Sequence, residues 1–130
     1  MLLFGHRFIE SEKLYHISDI DAIVHTPNSS TIYLLFSEEN LDIIQHAKKN
    51  SIPLALGVSS IKELIYASSL GARYILPTQS IAKTAQSIAE SYLFDAKIIV
   101  MIENESEIEE MALLGIDGVL FSDAIIKINS

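Results

Sequence analysis

Polar side chains recur in the loops that follow the apolar runs of the sequence. If these runs are parallel strands, the loops meet at the carboxyl edge of one sheet, where parallel sheets bind ligands. Glu103 and Asp123 are the best candidates for chemistry there. Strand-end carboxylates can act as acid and base, or bind a hard cation such as Mg²⁺ through oxygen. The full set is Ser37, Glu38, Glu39, Ser59, Ser60, Thr78, Gln79, Ser80, Glu103, Asn104, Ser122 and Asp123.

The same residue types have a structural explanation. Ser, Thr, Asn and Asp are favoured at helix N-caps, where a side-chain oxygen accepts a backbone hydrogen bond worth about 1 kcal/mol. Capping alone therefore accounts for the residue types in most of the set. As a functional alternative, some of these side chains contact a small ligand. The ligand-binding candidates are Glu38, Ser59, Thr78, Asn104 and Ser122.

The histidines show no metal-binding spacing, and no metal site or cofactor is evident from the sequence. His25 is the remaining catalytic candidate, because it adjoins a loop at 26–30 with hydroxyl and amide groups. The alternative is a surface or turn histidine. The second interpretation is favoured because no cysteine, serine nucleophile motif or orienting carboxylate accompanies His25.

Five apolar runs rich in Ile, Leu and Val are too short for helices and predict strands. Most lack inside–outside alternation, as in IIVMI at 98–102, which indicates a sheet covered on both faces. Amphipathic helical segments separate the runs, so the pattern predicts right-handed crossovers and a mostly parallel sheet. We interpret residues 1–130 as a single α/β domain of five or six βα units, regular from residue 31 onward. The runs lie at 31–36, 53–58, 74–76, 97–102 and 118–121.

Capping signals mark the ends of the predicted helices. Ser60 with Glu63 predicts a capping box, and Gly71 predicts the left-handed residue that ends the same helix. The equivalent residues are Ser106, Glu109 and Gly115 in the last helix, and Asn50 at the end of the first.

Residues 1–30 are less regular, and two interpretations stay open. KLYHI (13–17) and SDIDAIVHT (18–26) would form an extra strand and short helix, or RFI and LYHI would form a hairpin around residues 10–13. The segment FGHRF, from Phe4 to Phe8, would be an interface, because aromatic residues and arginine are enriched at binding hot spots. Its alternative is an edge strand that packs Phe4 and Phe8 inward.

Two architectures fit the repeat. A flavodoxin-like open three-layer sandwich closes its core within one chain, and we prefer it for that economy. A partial TIM-type barrel would curl its strands in sequence order and expose its edges and interior, so it would require a homo-oligomer. The helix-to-strand junctions LGARYI (70–75) and LGIDGV (114–119) favour the barrel.

Through these junctions, residues 52–126 resemble the second half of phosphate-binding (βα)8 barrels, such as the keto-deoxy-phosphogluconate aldolase and N-acylmannosamine-phosphate epimerase groups. The resemblance implies a phosphate held by glycine-containing loops after the last two strands, and a catalytic lysine at a strand end. Here those loops read ENES (103–106) and FSD (121–123), with carboxylates and no glycine. No lysine follows Val58, Leu76 or Ile102. The activity of those families is therefore not expected.

Composition excludes several classes of function. The chain has 9 Lys and Arg against 17 Asp and Glu, a net charge of −8, which argues against nucleic-acid partners. It has no cysteine, which excludes disulfides and thiolate metal sites. It has no apolar run of the roughly 18 residues typical of a membrane-spanning helix. We expect a cytoplasmic protein without membrane partners.

Two hypotheses from different classes remain. The preferred one is a non-catalytic α/β module that self-associates or binds a partner or small ligand. The alternative is a small lyase- or isomerase-type enzyme that uses the strand-end carboxylates Glu103 and Asp123. The enzyme hypothesis requires these two carboxylates to converge in one pocket.

Overall fold

The computed structural model describes residues 1–129, and the predicted domain end at Ser130 lies outside them. The strands are β1 (Leu2–Phe4), β2 (Leu14–His16), β3 (Thr31–Leu35), β4 (Leu54–Val58), β5 (Tyr74–Pro77), β6 (Lys97–Met101), β7 (Gly118–Leu120) and β8 (Ile125–Lys127). The α-helices are α1 (Leu41–Lys49), α2 (Ile61–Ser69), α3 (Ala82–Ser91) and α4 (Ser106–Leu113). Short 3₁₀ helices span Ile20–His25, Glu38–Asn40, Gln79–Ile81 and Ser122–Ala124.

The eight strands form one parallel sheet with the order β1-β7-β6-β5-β4-β3-β2-β8. The predicted α/β class with a parallel sheet is therefore confirmed. The strand order corrects the preference for a flavodoxin-like sandwich, because β2 to β7 are neighbours in sequence order. Right-handed crossovers that all proceed in one direction place their helices on one face of the sheet, without the reversal of a doubly wound fold. The architecture is that of a partial barrel.

Each face of the sheet has its own apolar cluster. The convex face packs against the helices through residues such as Leu34, Leu56 and Val100, all buried. The concave face is filled by side chains from the strands and their ends, and this concave cluster consists of Phe4, Leu14, Tyr33, Ala55, Leu76, Ile99, Leu120 and Ala124. Burial on both faces explains why the strand sequences lack polar alternation.

A contact across the concave face shows how strongly the sheet curls. Phe4 on β1 and Tyr74 on β5 are separated by two intervening strands, yet their ring centroids are 5.3 Å apart. Strands are spaced about 4.8 Å apart, so a flat sheet would place these positions about 14 Å apart. At the two edges, Gly5 after β1 packs closely on Ala124 before β8, and a Cβ at Gly5 would lie 3.0 Å from the Ala124 nitrogen. The sheet thus folds back upon itself and encloses its own side chains.

The helix ends follow the predicted signals, with two corrections. The Ser60 hydroxyl accepts a hydrogen bond from the Glu63 amide at 3.1 Å, and Gly71 and Gly115 have φ of +83° and +76°. Asn50 ends α1, but the left-handed residue is the next one, Ser51, with φ +57°. The predicted cap at Ser106 is wrong, because this residue lies within the first turn of α4.

The N-terminal segment forms the extra βα unit and not the hairpin. β2 pairs in parallel with β3 and β8, β1 pairs with β7, and a 3₁₀ helix at Ile20–His25 follows β2. Phe4 is buried as an edge-strand residue, but the expected inward packing of Phe8 is wrong, since Phe8 is 73% exposed. Between these residues, His6 and Arg7 contact Glu105 near the start of α4, with N–O distances of 2.9 and 3.3 Å.

None of the helices in residues 1–129 has the length and apolar character needed to cross a membrane. The homo-oligomer stays a prediction. One reason to expect a homo-oligomer was that a partial barrel would expose its interior. This reason is weaker than expected, because the chain's own side chains fill much of the concave face.

A double-mutant cycle tests the curl of the sheet. Phe4→Ala and Tyr74→Ala should each destabilise the fold, and their effects on the unfolding free energy should be non-additive by about 0.5–1.5 kcal/mol, the usual energy of an aromatic pair. Urea denaturation of both single variants and the double variant measures this coupling.

The control cycle combines Phe4→Ala with Tyr15→Ala, since Tyr15 packs on the convex face. Residues without shared contacts should give additive effects. Additivity in the Phe4 and Tyr74 cycle would contradict the curled sheet.

Candidate functional site

The strand-end loops after β6 and β7 enclose a cavity of about 440 Å³. Glu103, Asn104 and Ser122 line this cavity together with Gln79 and Glu107. Asp123 does not line it; its side chain is exposed, and its backbone oxygen accepts a hydrogen bond from Lys13 Nζ at 3.4 Å. The structure therefore brings four residues of the predicted strand-end set together and leaves Asp123 outside the group.

The Glu107 carboxylate occupies the position at which this loop would bind an anion. Glu107 Oε2 accepts hydrogen bonds from the backbone amides of Glu103 and Asn104 at 2.9 and 3.0 Å, and Oε1 accepts one from Gln79 Nε2 at 2.9 Å. The amide of Asn104, the Gln79 side chain and the amide of Glu103 lower the pKa of Glu107. The loop amides are thus already bound to a carboxylate of the same chain.

The loop after β4 repeats this arrangement. Glu63 Oε1 accepts hydrogen bonds from the backbone amide and hydroxyl of Ser59 at 2.8 and 3.1 Å. The predicted ligand candidate Ser59 is therefore held by Glu63, which also completes the cap at Ser60. Neither loop presents free amides of the kind that the resemblance to phosphate-binding barrels implies.

Of the other predicted residues, Thr78 lines a cavity together with Ser59, whereas Glu38 and His25 line neither this cavity nor the one beside Glu103. Glu38 is exposed at the start of a 3₁₀ helix, and Thr78 makes no capping bond but lies 3.3 Å from the Ser80 hydroxyl oxygen. His25 is exposed at the end of its 3₁₀ helix, in the connection that leads into the N-terminal end of β3. His25 thus adjoins the loop at 26–30, at the end of the sheet opposite to the carboxyl ends of the strands. Within residues 1–129, no three His, Asp or Glu side chains are grouped so that they could hold a metal ion such as Mg²⁺.

A second cavity, mainly apolar, lies at the C-terminal ends of β3 to β6. It has a volume of about 340 Å³ and is bordered at its mouth by the exposed side chains of Leu35 and Met101. We call it the apolar cavity. Its lining consists of Tyr33, Leu35, Phe36, Gly57, Val58, Ser59, Glu63, Leu76, Pro77, Thr78 and Met101.

Tyr33 provides an accessible hydroxyl in the wall of the apolar cavity. Its side chain belongs to the concave cluster and is only 7% exposed, and burial raises its pKa, so the hydroxyl stays protonated at neutral pH. No donor or acceptor in residues 1–129 hydrogen-bonds to this hydroxyl; its one specific contact is the edge-on ring of His16, with centroids 5.0 Å apart. The hydroxyl is therefore free to bond to a molecule in the cavity.

Gly57 allows Leu35 and the Tyr33 hydroxyl to approach β4 closely. It pairs in register with Leu35 on β3, and a Cβ here would be 3.2 Å from the Tyr33 hydroxyl and 2.7 Å from Leu35 Cδ2. Glycine within a strand is unfavourable and often marks close approach by another group. Here the space of a side chain is taken by Leu35 and the Tyr33 hydroxyl, two of the groups that line the cavity.

A polar strip lies next to Tyr33 on the concave face, and its residues His16 and Lys127 are outside the lining of the apolar cavity. His16 pairs in register with Tyr33 on one side and with Lys127 on the other, so the three side chains are neighbours on one face of β3, β2 and β8. Burial and the charge of Lys127 lower the pKa of His16, which keeps its ring neutral near pH 7. Prediction from the sequence selected polar residues in the loops that follow the strands, and so did not select Tyr33, His16 or Lys127, which lie within strands. Their signal is the two-residue period of each strand, which becomes informative only when strand order and register are known.

A different cluster lies at the N-terminal end of the concave face. The Tyr74 hydroxyl donates to Glu12, Thr31 Oγ1 donates to the other Glu12 oxygen at 3.1 Å, and Arg73 donates to Thr31 at 3.3 Å. Burial, with the hydrogen bond to Glu12, raises the pKa of Tyr74 to about 12. These polar groups bind one another and occupy this end of the barrel.

The Glu107 contacts predict an acid-sensitive contribution to stability. Because the folded pKa is lowered, ionised Glu107 stabilises the fold above the pKa of an ordinary glutamate, about 4.3, and this contribution is lost as pH falls through the lower folded pKa. Glu107→Gln should therefore lower the unfolding free energy at pH 7, with a smaller difference from the unmodified chain at pH 3. Urea denaturation at both pH values measures this.

Glu109→Gln is the matched control, since Glu109 is exposed on the same helix and accepts none of these loop hydrogen bonds. Its effect at pH 7 should be smaller. Equal effects of the two substitutions would argue against the role of Glu107.

The chain was compared with protein-family models and with curated proteins, and it matches none of them.

Proposed function

We propose that the protein is a binding module for a small, mainly apolar molecule held in the apolar cavity. The observation that supports this most directly is Tyr33, a largely buried residue whose hydroxyl is accessible from the cavity and has no hydrogen-bond partner within residues 1–129. The cavity surrounds an apolar molecule, and this hydroxyl supplies a directional contact to an oxygen or nitrogen on it.

The size and lining of the cavity support this function. Small-molecule sites commonly measure about 300–1,000 Å³ and combine an apolar wall with a few placed polar groups. The apolar cavity has about 340 Å³, with Leu35, Leu76 and Met101 in its wall. Water fills such a site when it is empty, and a ligand oxygen that replaces the water at Tyr33 retains the hydrogen bond.

The strand-end carboxylates give less support to an enzyme. Glu103 lines the 440 Å³ cavity but Asp123 does not, so the shared pocket that a lyase or isomerase mechanism requires lacks one of its two carboxylates. The binding proposal keeps two expectations from the sequence: a cytoplasmic location and the ability to self-associate.

A pair of near-isosteric probes tests the cavity. Acetophenone carries a carbonyl oxygen, whereas cumene has a methyl group in its place. The unmodified protein should bind both and bind acetophenone more tightly. Tyr33→Phe should weaken acetophenone binding about fivefold, the equivalent of one hydrogen bond of about 1 kcal/mol, and leave cumene unchanged. Ligand-observed NMR titration measures both affinities.

Two further variants locate the binding. Gly57→Val should weaken both probes, because its side chain would displace Leu35 and Tyr33, which line the cavity. Tyr15→Phe removes a hydroxyl from the convex face and should change neither affinity. Absence of binding by both probes to the folded, unmodified protein, or binding that Gly57→Val does not affect, would overturn the proposal.

A further inference from the structure

We infer that the ligand of the apolar cavity is an aryl or alkyl amine, whose ammonium group pairs with the carboxylate of Glu63. This inference rests on the proposed function and names the chemical class of its ligand. The cavity supplies this one carboxylate and the accessible hydroxyl of Tyr33 within a mainly apolar wall.

Glu63 carries the only charged side chain among the described residues that line the apolar cavity. This described lining includes no lysine, arginine or histidine, and the chain as a whole has a net charge of −8. A carboxylate ligand would therefore meet repulsion without a compensating cation, whereas an ammonium group would be attracted. The electrostatics of the cavity thus favour a cationic ligand over an anionic or neutral ligand of the same shape.

One oxygen of the Glu63 carboxylate is held by the loop, and the other is available. Oε1 accepts hydrogen bonds from the backbone amide and the hydroxyl of Ser59 at 2.8 and 3.1 Å. Oε2 has no hydrogen-bond or ion-pair partner within residues 1–129. It is accessible, because this part of the chain has no fully buried side-chain oxygen that lacks a partner. Ser59 thus holds the carboxylate in place at the cavity wall, while Oε2 can accept an N–H from an ammonium group.

Strand β4 sets the distance between the two polar groups. The Tyr33 hydroxyl lies beside Gly57, where a Cβ would be 3.2 Å from it, and Glu63 is bonded to Ser59, which directly follows β4. Gly57 and Ser59 are two residues apart, which separates them by about 7 Å along the strand. A benzene ring that carries an aminomethyl group at one end and an oxygen at the other is about as long. The oxygen accepts from Tyr33 while the ammonium group donates to Glu63.

The same cavity does not suit a metal ion. Within residues 1–129, no three His, Asp or Glu side chains are grouped so that they could hold one, and much of the wall is apolar, with Leu76 and Met101. A bare hard cation requires several oxygen ligands, whereas an organic ammonium group requires only one carboxylate and buries its apolar body against the wall. The matching molecule therefore has an apolar body with one positive group at its end.

The experiment compares 4-methoxybenzylamine with its neutral near-isostere 4-methoxybenzyl alcohol by ligand-observed NMR titration at neutral pH and low ionic strength. The amine is protonated under these conditions. The unmodified protein should bind the amine about three- to fivefold more tightly, the upper end of the range for a partly exposed ion pair. Added salt should reduce this preference and leave the affinity for the alcohol unchanged.

Two variants separate the charge from the hydroxyl. Glu63→Gln should abolish the preference and leave the affinity for the alcohol unchanged. Glutamine also completes capping boxes, so this variant keeps an acceptor for Ser59 and the start of α2. Tyr33→Phe should weaken both compounds to the same extent, because both carry the methoxy oxygen, and should retain the preference for the amine.

Glu39→Gln is the matched control. Glu39 is exposed in the 3₁₀ helix after β3, at the same end of the sheet, but it does not line the apolar cavity. This variant removes the same charge and should keep the preference. Equal binding of amine and alcohol by the unmodified protein, or a preference that survives Glu63→Gln, would overturn the inference while the binding function stands. If neither compound nor acetophenone binds, the proposed function fails as well.

Discussion

The structure depends on one constraint, which is that the helices cover only one face of the sheet. The apolar side chains of the other face must therefore bury one another. Crossovers that proceed in one direction put α1 to α4 on the convex side, where they cover residues such as Leu34 and Leu56. The concave side has no helical layer, so its apolar residues can leave water only if the sheet curls and they meet one another. The contact of Phe4 with Tyr74 is the clearest case. The same curl brings β8 next to β2 and Lys127 next to His16.

The electrostatics of the loops explain why a barrel-like repeat lacks the phosphate sites of the barrels that it resembles. In the loops after β4 and β6, a glutamate of the following helix binds the strand-end amides. A carboxylate attached to the same chain acts at a high effective concentration, so an external anion must displace it and also overcome its charge. The βα repeat thus keeps the architecture of the barrels without their phosphate sites. Its strand-end backbone amides bind a glutamate of the following helix and so fix the start of that helix.

Local signals in the sequence predicted local structure well. Ser60, Gly71 and Gly115 mark helix ends through their own backbone and side-chain chemistry, which depends little on the rest of the fold. The choice between an open sandwich and a curled sheet depends on the pairing of β1 with β7 and β2 with β8, which connects distant parts of the chain and has no local signal. This is why the preference for the open sandwich was wrong.

The candidate site was harder to predict for the same reason. The strand-end rule selected loop residues such as Glu103 and Ser59, whereas Tyr33 and His16 lie on strands and become neighbours only through register. Gly57, inside the apolar run LALGV, was the one local indication, because glycine in a buried strand marks space that another group requires.

The two ends of the concave face differ in a way that indicates where a molecule can enter. At the N-terminal end, Glu12, Thr31 and Tyr74 satisfy one another, and the pKa of Tyr74, raised to about 12, keeps its hydroxyl protonated as the donor to Glu12. A ligand that entered there would have to break these bonds. At the C-terminal end, Leu35 and Met101 border an open space with an unbonded tyrosine hydroxyl behind them. Filling that space would remove apolar surface from water and break no protein hydrogen bond, so the hydrophobic effect favours a ligand at this end over one at the N-terminal end.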